Sequence, residues 1–345
     1  MEFLISAVLI IVLLVLIVLS CIVFTNAVEH LGRVFDLGDG AVGCVLAAVG
    51  TALPETIVPL VAIFGAYFAG GNVQAGSEIG VGAILGAPFL LSTLAMFVTG
   101  IAAVMFSKLK KRKHEVQIDV NSLLRDLRFF IIAYTVAVLS SFVSTQYIKY
   151  IIGIILLLYY GFYVFRTILK SCNVVCSNEL EELYLFKIFN ALKKFKKLSI
   201  WLQICLSIFA LICFSHLFVE NIKFLSEGLN ISPLIISLLL APVATELPEM
   251  FNSVIWINGS KDTLALGNIT GAMVFQSCIP MSIGLFFTSW VFAQEACINI
   301  ILVYFAVIVL YIFAARNKSH ISPFTLIFSG LFYFIYLAYI IFQVF

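Results

Sequence analysis

Three carboxylates stand where a carboxylate is costly. Glu55, Glu246 and Glu249 each fall inside an apolar run long enough to cross a bilayer. An acid at mid-membrane costs ~2.5–3.5 kcal/mol, so three would total on the order of 8–10 kcal/mol if unpaired. Thr51 precedes Glu55 by four residues and Thr245 precedes Glu249 by four, so each pair shares a helix face. Glu246 is three before Glu249 and lies near the same face. No Lys or Arg lies in the apolar runs around these acids or in the ones that follow each of them. Cations or protons are the remaining way to neutralise the carboxylates. Pro54 and Pro248 each remove a backbone N–H and displace the carbonyl one turn earlier, which leaves carbonyls near Gly50 and Ala244 available as ligands. Gln276 adds an amide oxygen. Calcium takes 6–8 oxygens, and three carboxylates, Thr51, Thr245, Gln276 and freed carbonyls can supply that many. The competing explanation is a set of protonated glutamates hydrogen-bonded between helices. It accounts well for one isolated acid and poorly for acids repeated beside prolines.

The repetition is plain in the letters. Thr51-x-Leu53-Pro54-Glu55 recurs as Thr245-x-Leu247-Pro248-Glu249. A second word follows each: Gly82-Ala83-Ile84-Leu85-Gly86-Ala87 and Gly267-Asn268-Ile269-Thr270-Gly271-Ala272. Two words in one order, once per half, indicate an internal duplication. The glycine pairs fit close helix packing. Gln276 lies five after Gly271, and its counterpart five after Gly86 is Leu91, which offers nothing to an ion.

Hydrophobic residues make up 63% of the 345 residues and charged residues 11%, where a soluble domain would be nearer a quarter charged. This is the composition of an all-α polytopic membrane protein. Ten spans are expected, near 3–24, 41–68, 76–105, 128–145, 148–169, 199–225, 231–258, 263–290, 292–314 and 321–344. Residues 3–24 read as a first span, because no basic stretch precedes them as it would in a cleaved signal. The domain plan is then 1–169 as one five-helix half, 170–198 as a linker and 199–345 as a second five-helix half. With ten spans, nearly all Lys and Arg fall in loops on one side, and only Lys149 and Lys223 on the other. The positive-inside rule makes the crowded side cytoplasmic, with loops 106–127 and 170–198 there and both termini outside the cytoplasm. Because five is odd, the halves enter the membrane from opposite sides, giving two inverted repeats. Secondary transporters built this way place their ion site at the repeat interface near the midplane.

The remaining polar residues are read more plainly. Asn268 suits interhelical hydrogen bonding, His216 a buried satisfied position, and Glu78 the outer mouth. Cys21, Cys44, Cys205, Cys213, Cys278 and Cys297 read as small core residues. Cys172 and Cys176 lack the second pair that a zinc site needs. A net charge of +2 points to no nucleic-acid partner, and no hydrolase or phosphate-loop motif is present, so the chain is not expected to be an enzyme and needs no cofactor. The expected partners are the lipid bilayer of the cell membrane and inorganic cations.

At its four words the chain resembles the sodium/calcium exchanger family of the cation/calcium antiporter superfamily. That family carries two inverted five-helix repeats, each with a G-T-S-L-P-E word and a G-N-x-x-G-S-N-x-x-[ND] word. Here these read Gly50-Thr-Ala-Leu-Pro-Glu55, Ala244-Thr-Glu-Leu-Pro-Glu249, Gly82 to Leu91 and Gly267 to Gln276. The resemblance implies a compact antiporter in which Glu55 and Glu249 bind calcium and its competitors, with Thr51 and Thr245 at flanking sodium sites. Four serines of the family's words are absent: Ala52, Ala87 and Ala272 replace three, and Glu246 the fourth. The expectation is therefore a secondary antiporter exchanging a divalent cation, calcium by family default, for Na+ or H+, with weak sodium dependence and clear pH dependence. The alternatives are proton-coupled exchange of another divalent cation, a channel, and a non-transporting member that kept the fold.

Overall fold

The computed structural model describes residues 2–34, 55–65, 67, 72–109, 112, 114–170, 182–188, 195–317 and 319–344. In chain order the helices are α1 (Glu2–Val34), α2 (Glu55–Gly65), α3 (Val73–Lys108), α4 (Val120–Leu139), α5 (Gln146–Lys170), α6 (Tyr184–Ile188), α7 (Lys196–Leu229), α8 (Pro233–Asn258), α9 (Asp262–Phe287), α10 (Gln294–Arg316) and α11 (Pro323–Val344). Among the described residues, eight helices are long and apolar enough to cross a membrane. The two other expected spans correspond to α2, described over eleven residues, and to α4, which carries Arg125, Asp126 and Arg128. The all-α membrane fold therefore stands, with eight clear candidate spans where ten were expected.

The boundaries differ from the expected ones for physical reasons. Helix α4 starts at Val120, not 128, and ends near Leu139. Its first turns are polar, yet Asp126 there is buried and paired with Thr270, which hydropathy cannot see, while the exposed Arg128 bonds to Tyr311. Helix α1 runs on to Val34, and Phe24, Ala27 and Val28 share an apolar cluster with Leu183 and Phe186 at α6, a short linker helix that the sequence reading does not include. There the Asn26 and Gln203 side chains accept the Tyr184 and Leu185 N–H groups at 3.2 and 2.9 Å. Helix α8 is also continuous where an interruption at Pro248 was expected: it passes through Pro242 and Pro248 unbroken, each proline only removing one donor from its ladder. Pro54, Gly50 and Thr51 lie outside the described residues.

Lipid is as apolar as Leu, so helices in a membrane associate by close approach and polar bonds. Both devices appear at α8, the hub. A Cβ at Gly82 would sit 2.6 Å from the Leu234 carbonyl oxygen, and one at Gly86 would overlap the Leu238 carbonyl oxygen and lie 2.5 Å from Pro242 Cγ. Only glycine lets α3 lie this close along α8. The Ser237 hydroxyl then reaches across to the Ile79 carbonyl at 2.6 Å. On its other side α8 pairs antiparallel with α9. Ser253 donates to the Ala265 carbonyl at 3.1 Å, and Asn268 donates to the Glu249 carbonyl at 3.2 Å. The turn into α8 is set by Asn230 in the left-handed region at φ 55°, then by Ser232 capping the Leu234 N–H ahead of Pro233.

One large core joins α3, α4, α5 and α8–α11, while α1 and α7 pack on each other and share a second core with α2. At one end of the bundle three loops knit together. Arg112 grips Asp262 with two hydrogen bonds of 2.8 and 2.6 Å, both side chains almost wholly buried. A two-stranded ladder pairs β1 (Val116–Gln117) with β2 (His320–Ile321). Cys21 and Cys278 are core residues as expected; Cys205 and Cys297 instead lie exposed on their helices. Cys44, Cys172 and Cys176 lie outside the described residues. His216 is half-buried, beside Gly65, and not enclosed.

Candidate ion-binding site

Helix α8 brings Glu246 and Glu249 to the middle of the bundle. Glu246 is thirteen residues from Pro233 and twelve from Asn258, or ~20 and ~18 Å along the axis at 1.5 Å per residue. Glu55 opens the described part of α2 and comes to the same place. One oxygen from each of the three carboxylates lies within 4.8 Å of the others, and all three residues are buried, with 4%, 0% and 2% of their surface exposed. Among the described residues no Lys or Arg forms an ion pair with Glu55 or Glu246.

The partners around the acids are few and directional. Thr245 donates its hydroxyl to Glu246 Oε1 at 2.9 Å, and Gln276 donates Nε2 to Glu246 Oε2 at 2.7 Å. Both Glu246 oxygens are thereby aimed. Because Nε2 is committed, the Gln276 Oε1 is turned the other way. It is buried with no hydrogen-bond partner among the described residues, as are both oxygens of Glu55. Buried polar atoms without partners are rare and call for an explanation. Here they are acceptor oxygens only, beside two further carboxylates, which is a donor set for a hard cation or for protons.

Of the six sequence-derived site residues, Glu55, Thr245, Glu246, Glu249 and Gln276 are brought together. Thr51 falls outside the described residues. Thr245 spends its hydroxyl on Glu246, so it orients that carboxylate in this arrangement. Asn268 bonds between helices, as its sequence context suggested. Glu78 lines a cavity of about 980 Å³ at the start of α3, where Gln74 donates to it at 3.1 Å. The polar residue that sequence reasoning missed is Asp126. It is buried on α4 against Thr270 of the second word. The expected span starts at residue 128, which leaves Asp126 in the preceding loop.

Comparisons with known proteins bear on the fold and the family. A solved structure of an H+/Ca2+ exchanger, CAX, superposes with a TM-score of 0.70 at 16% identity, covering 98% of this chain and 86% of that one. The sodium–calcium exchanger NCX_Mj superposes at 0.58 with 20% identity, covering 97% and 99%. At these identities the likeness is one of fold. A putative antiporter, CaxA of Alkalimonas amylolytica, is 33% identical over 86 residues, spanning 25% of this chain and 26% of that relative. The family model described as sodium/calcium exchanger protein matches residues 5–169 and 199–345, nearly the whole chain. These relatives are ion exchangers and not enzymes, and the chain belongs to the sodium/calcium exchanger protein family.

Proposed function

We propose that the protein is a secondary antiporter that exchanges a divalent cation, calcium by family default, for protons at Glu55, Glu246 and Glu249. The observation that carries the reading is the mutual approach of three buried carboxylates within 4.8 Å. Two unit negative charges at that distance repel by about 3.5 kcal/mol at an effective dielectric of 20. The centre cannot stand fully ionised and empty. A divalent cation or added protons each relieve the repulsion, and one excludes the other, which is the competition an exchanger needs. A divalent ion gains about twice the attraction of a monovalent one at equal distance. Gln276 Oε1 and Glu55 supply uncommitted oxygens for it.

Sodium as the main counter-ion is the second reading, resting on the likeness to NCX_Mj. Against it stand Ala52, Ala87 and Ala272, where the family's words place hydroxyls, and Glu246, which brings a charge. The chain is read as two inverted halves, 1–169 and 199–345, with loops 106–127 and 170–198 cytoplasmic. The mutual contacts of Arg112 with Asp262 and of β1 with β2 support a common side for three of the crowded loops.

The test is calcium flux in reconstituted vesicles, first across a pH gradient without sodium, then across a sodium gradient at fixed pH. Glu55→Gln and Glu249→Gln each abolish exchange while the protein stays folded. Glu246→Ser weakens the pH response and strengthens the response to sodium. Wild-type rates in either glutamine variant would show that acid to be structural. Flux without any counter-ion would make the protein a channel.

A further inference from the structure

The buried carboxylate of Asp126 takes no part in the centre just described, yet it touches the helix that carries Gln276. Its Oδ1 accepts from Arg125 Nε and Nη2 at 3.0 and 2.9 Å, and its Oδ2 accepts from the Thr270 hydroxyl at 3.1 Å. Asp126 is 3% exposed and Thr270 not at all. The single Thr270 hydroxyl hydrogen has a second acceptor, the Leu266 carbonyl at 3.0 Å in its own helix. The ionised partner makes the stronger bond. Arg125 also lies over the Tyr163 ring at 5.9 Å, which closes the cluster on the α5 side.

Position on α9 gives this contact its meaning. Asn268 and Thr270 are two residues apart, ~200° around the helix, so they face opposite ways. Asn268 meets α8 at the Glu249 carbonyl, and Thr270 meets α4 at Asp126. Helix α9 is thus held from both sides, next to the acids on one and on a charged group on the other. Further along the same helix, Gln276 Nε2 meets Glu246 Oε2.

We propose that Asp126 is a positioning residue for the cation centre: through Thr270 it fixes the rotation of α9 at which Gln276 holds Glu246. The inference rests on the exchanger reading above and concerns affinity, whereas loss of the central glutamates concerns exchange itself. The experiment is the calcium dependence of uptake into vesicles under a fixed pH gradient. The proteins are wild type, Asp126→Asn, Thr270→Val, Thr270→Ser, Gln276→Leu and the Thr270→Val/Gln276→Leu pair. Asp126→Asn and Thr270→Val raise the half-saturating calcium roughly 3–10-fold, the range expected for losing a charge-assisted hydrogen bond that acts at one remove, with maximal rate per folded protein changed less than twofold. Thr270→Ser restores the wild-type value. In the double variant Thr270→Val adds nothing to Gln276→Leu, because both act through one contact. Additive effects overturn the proposal, as does an unchanged half-saturation in a transporting Thr270→Val. Failure of both Asp126→Asn and Thr270→Val to fold would make the contact purely structural and overturn it too. An inactive Glu55→Gln alongside these shifts confirms both readings, and an active one overturns only the exchanger site.

Discussion

Helices α3 and α9 carry the two copies of one word, and the copies have parted company. In α3 the word is silent chemically. Gly82 and Gly86 press against the α8 backbone, and Ala83, Ile84, Leu85 and Ala87 are buried. In α9 the glycines press on nothing comparable among the described residues. No atom of those lies within 4 Å of a Cβ at Gly267, and one at Gly271 would meet the Tyr163 hydroxyl at 3.6 Å, an ordinary contact. What α9 offers is polar: Asn268 to α8, Thr270 to Asp126, Gln276 to Glu246. The two words share one spacing and differ in what they meet: close backbone packing in α3 and polar contacts in α9. Glycine at a given letter therefore does not carry a fixed role; the neighbour it meets decides.

The strongest way to break this comparison is to add a methyl group to each copy. Gly86→Ala forces the α8 backbone away, since the clash is with a carbonyl oxygen and a proline ring and not with a flexible side-chain end. Overpacking of this kind costs ~1–3 kcal/mol, occasionally more, and the upper end applies here. Gly267→Ala and Gly271→Ala stay within about 0.5 kcal/mol, as ordinary substitutions without a clash do. Thermal unfolding in detergent reads both. Equal losses in the two helices would show that the copies still pack alike.

The next lever is the residue that makes α9 chemical. Gln276→Leu gives α9 the residue that α3 has at Leu91. It leaves Glu246 Oε2 without its donor and removes the uncommitted Oε1. A hydrogen bond to a charged group contributes about 1.5–3 kcal/mol, which is roughly a 10- to 100-fold rise in half-saturating calcium. Unfolding temperature falls too, since the buried Glu246 Oε2 is left without a donor at a cost of about 1–3 kcal/mol. The reverse exchange, Leu91→Gln, places an amide in a fully buried apolar position and costs stability without improving affinity.

The carboxylate cluster is legible in the sequence. Acids inside apolar runs are conspicuous, and the repeated prolines and threonines marked the helix faces. What sequence could not separate was polarity that is exposed from polarity that is paired. Asp126 falls in the 106–127 loop of the sequence reading because a hydropathy profile cannot know of Thr270. The same blindness hid the last turns of α1, covered by α6 through Asn26 and Gln203. The two glycine pairs looked equivalent because the residues that distinguish them lie on α8 and α5.

The smallest effect tests whether α9 depends on its own start as well as on its middle. Asp119 caps α4: its carboxylate accepts the Asn121 N–H at 3.1 Å and the Ser122 hydroxyl at 2.6 Å. Its backbone N–H donates to Thr263 Oγ1 on the first turn of α9 at 3.1 Å. The Ser122 hydrogen bond, then the capping N–H groups and the nearby Arg125, hold the carboxyl below its ordinary value. A depressed acid contributes stability above its unfolded value, near 3.9, and loses it as pH falls through the folded value. The contribution is therefore present at neutral pH and disappears only below about pH 4. Asp119→Ala costs ~0.5–1 kcal/mol, the low half of the range for a cap, because the residue is exposed and its charge is screened. Asp119→Asn, which keeps the acceptor, costs a few tenths. Both leave half-saturating calcium at the wild-type value, since the bond to Thr263 comes from the backbone and survives either change. A shift in calcium affinity from Asp119→Ala would mean that the cap reaches the centre, and that Asp126 is not the point at which α4 sets α9.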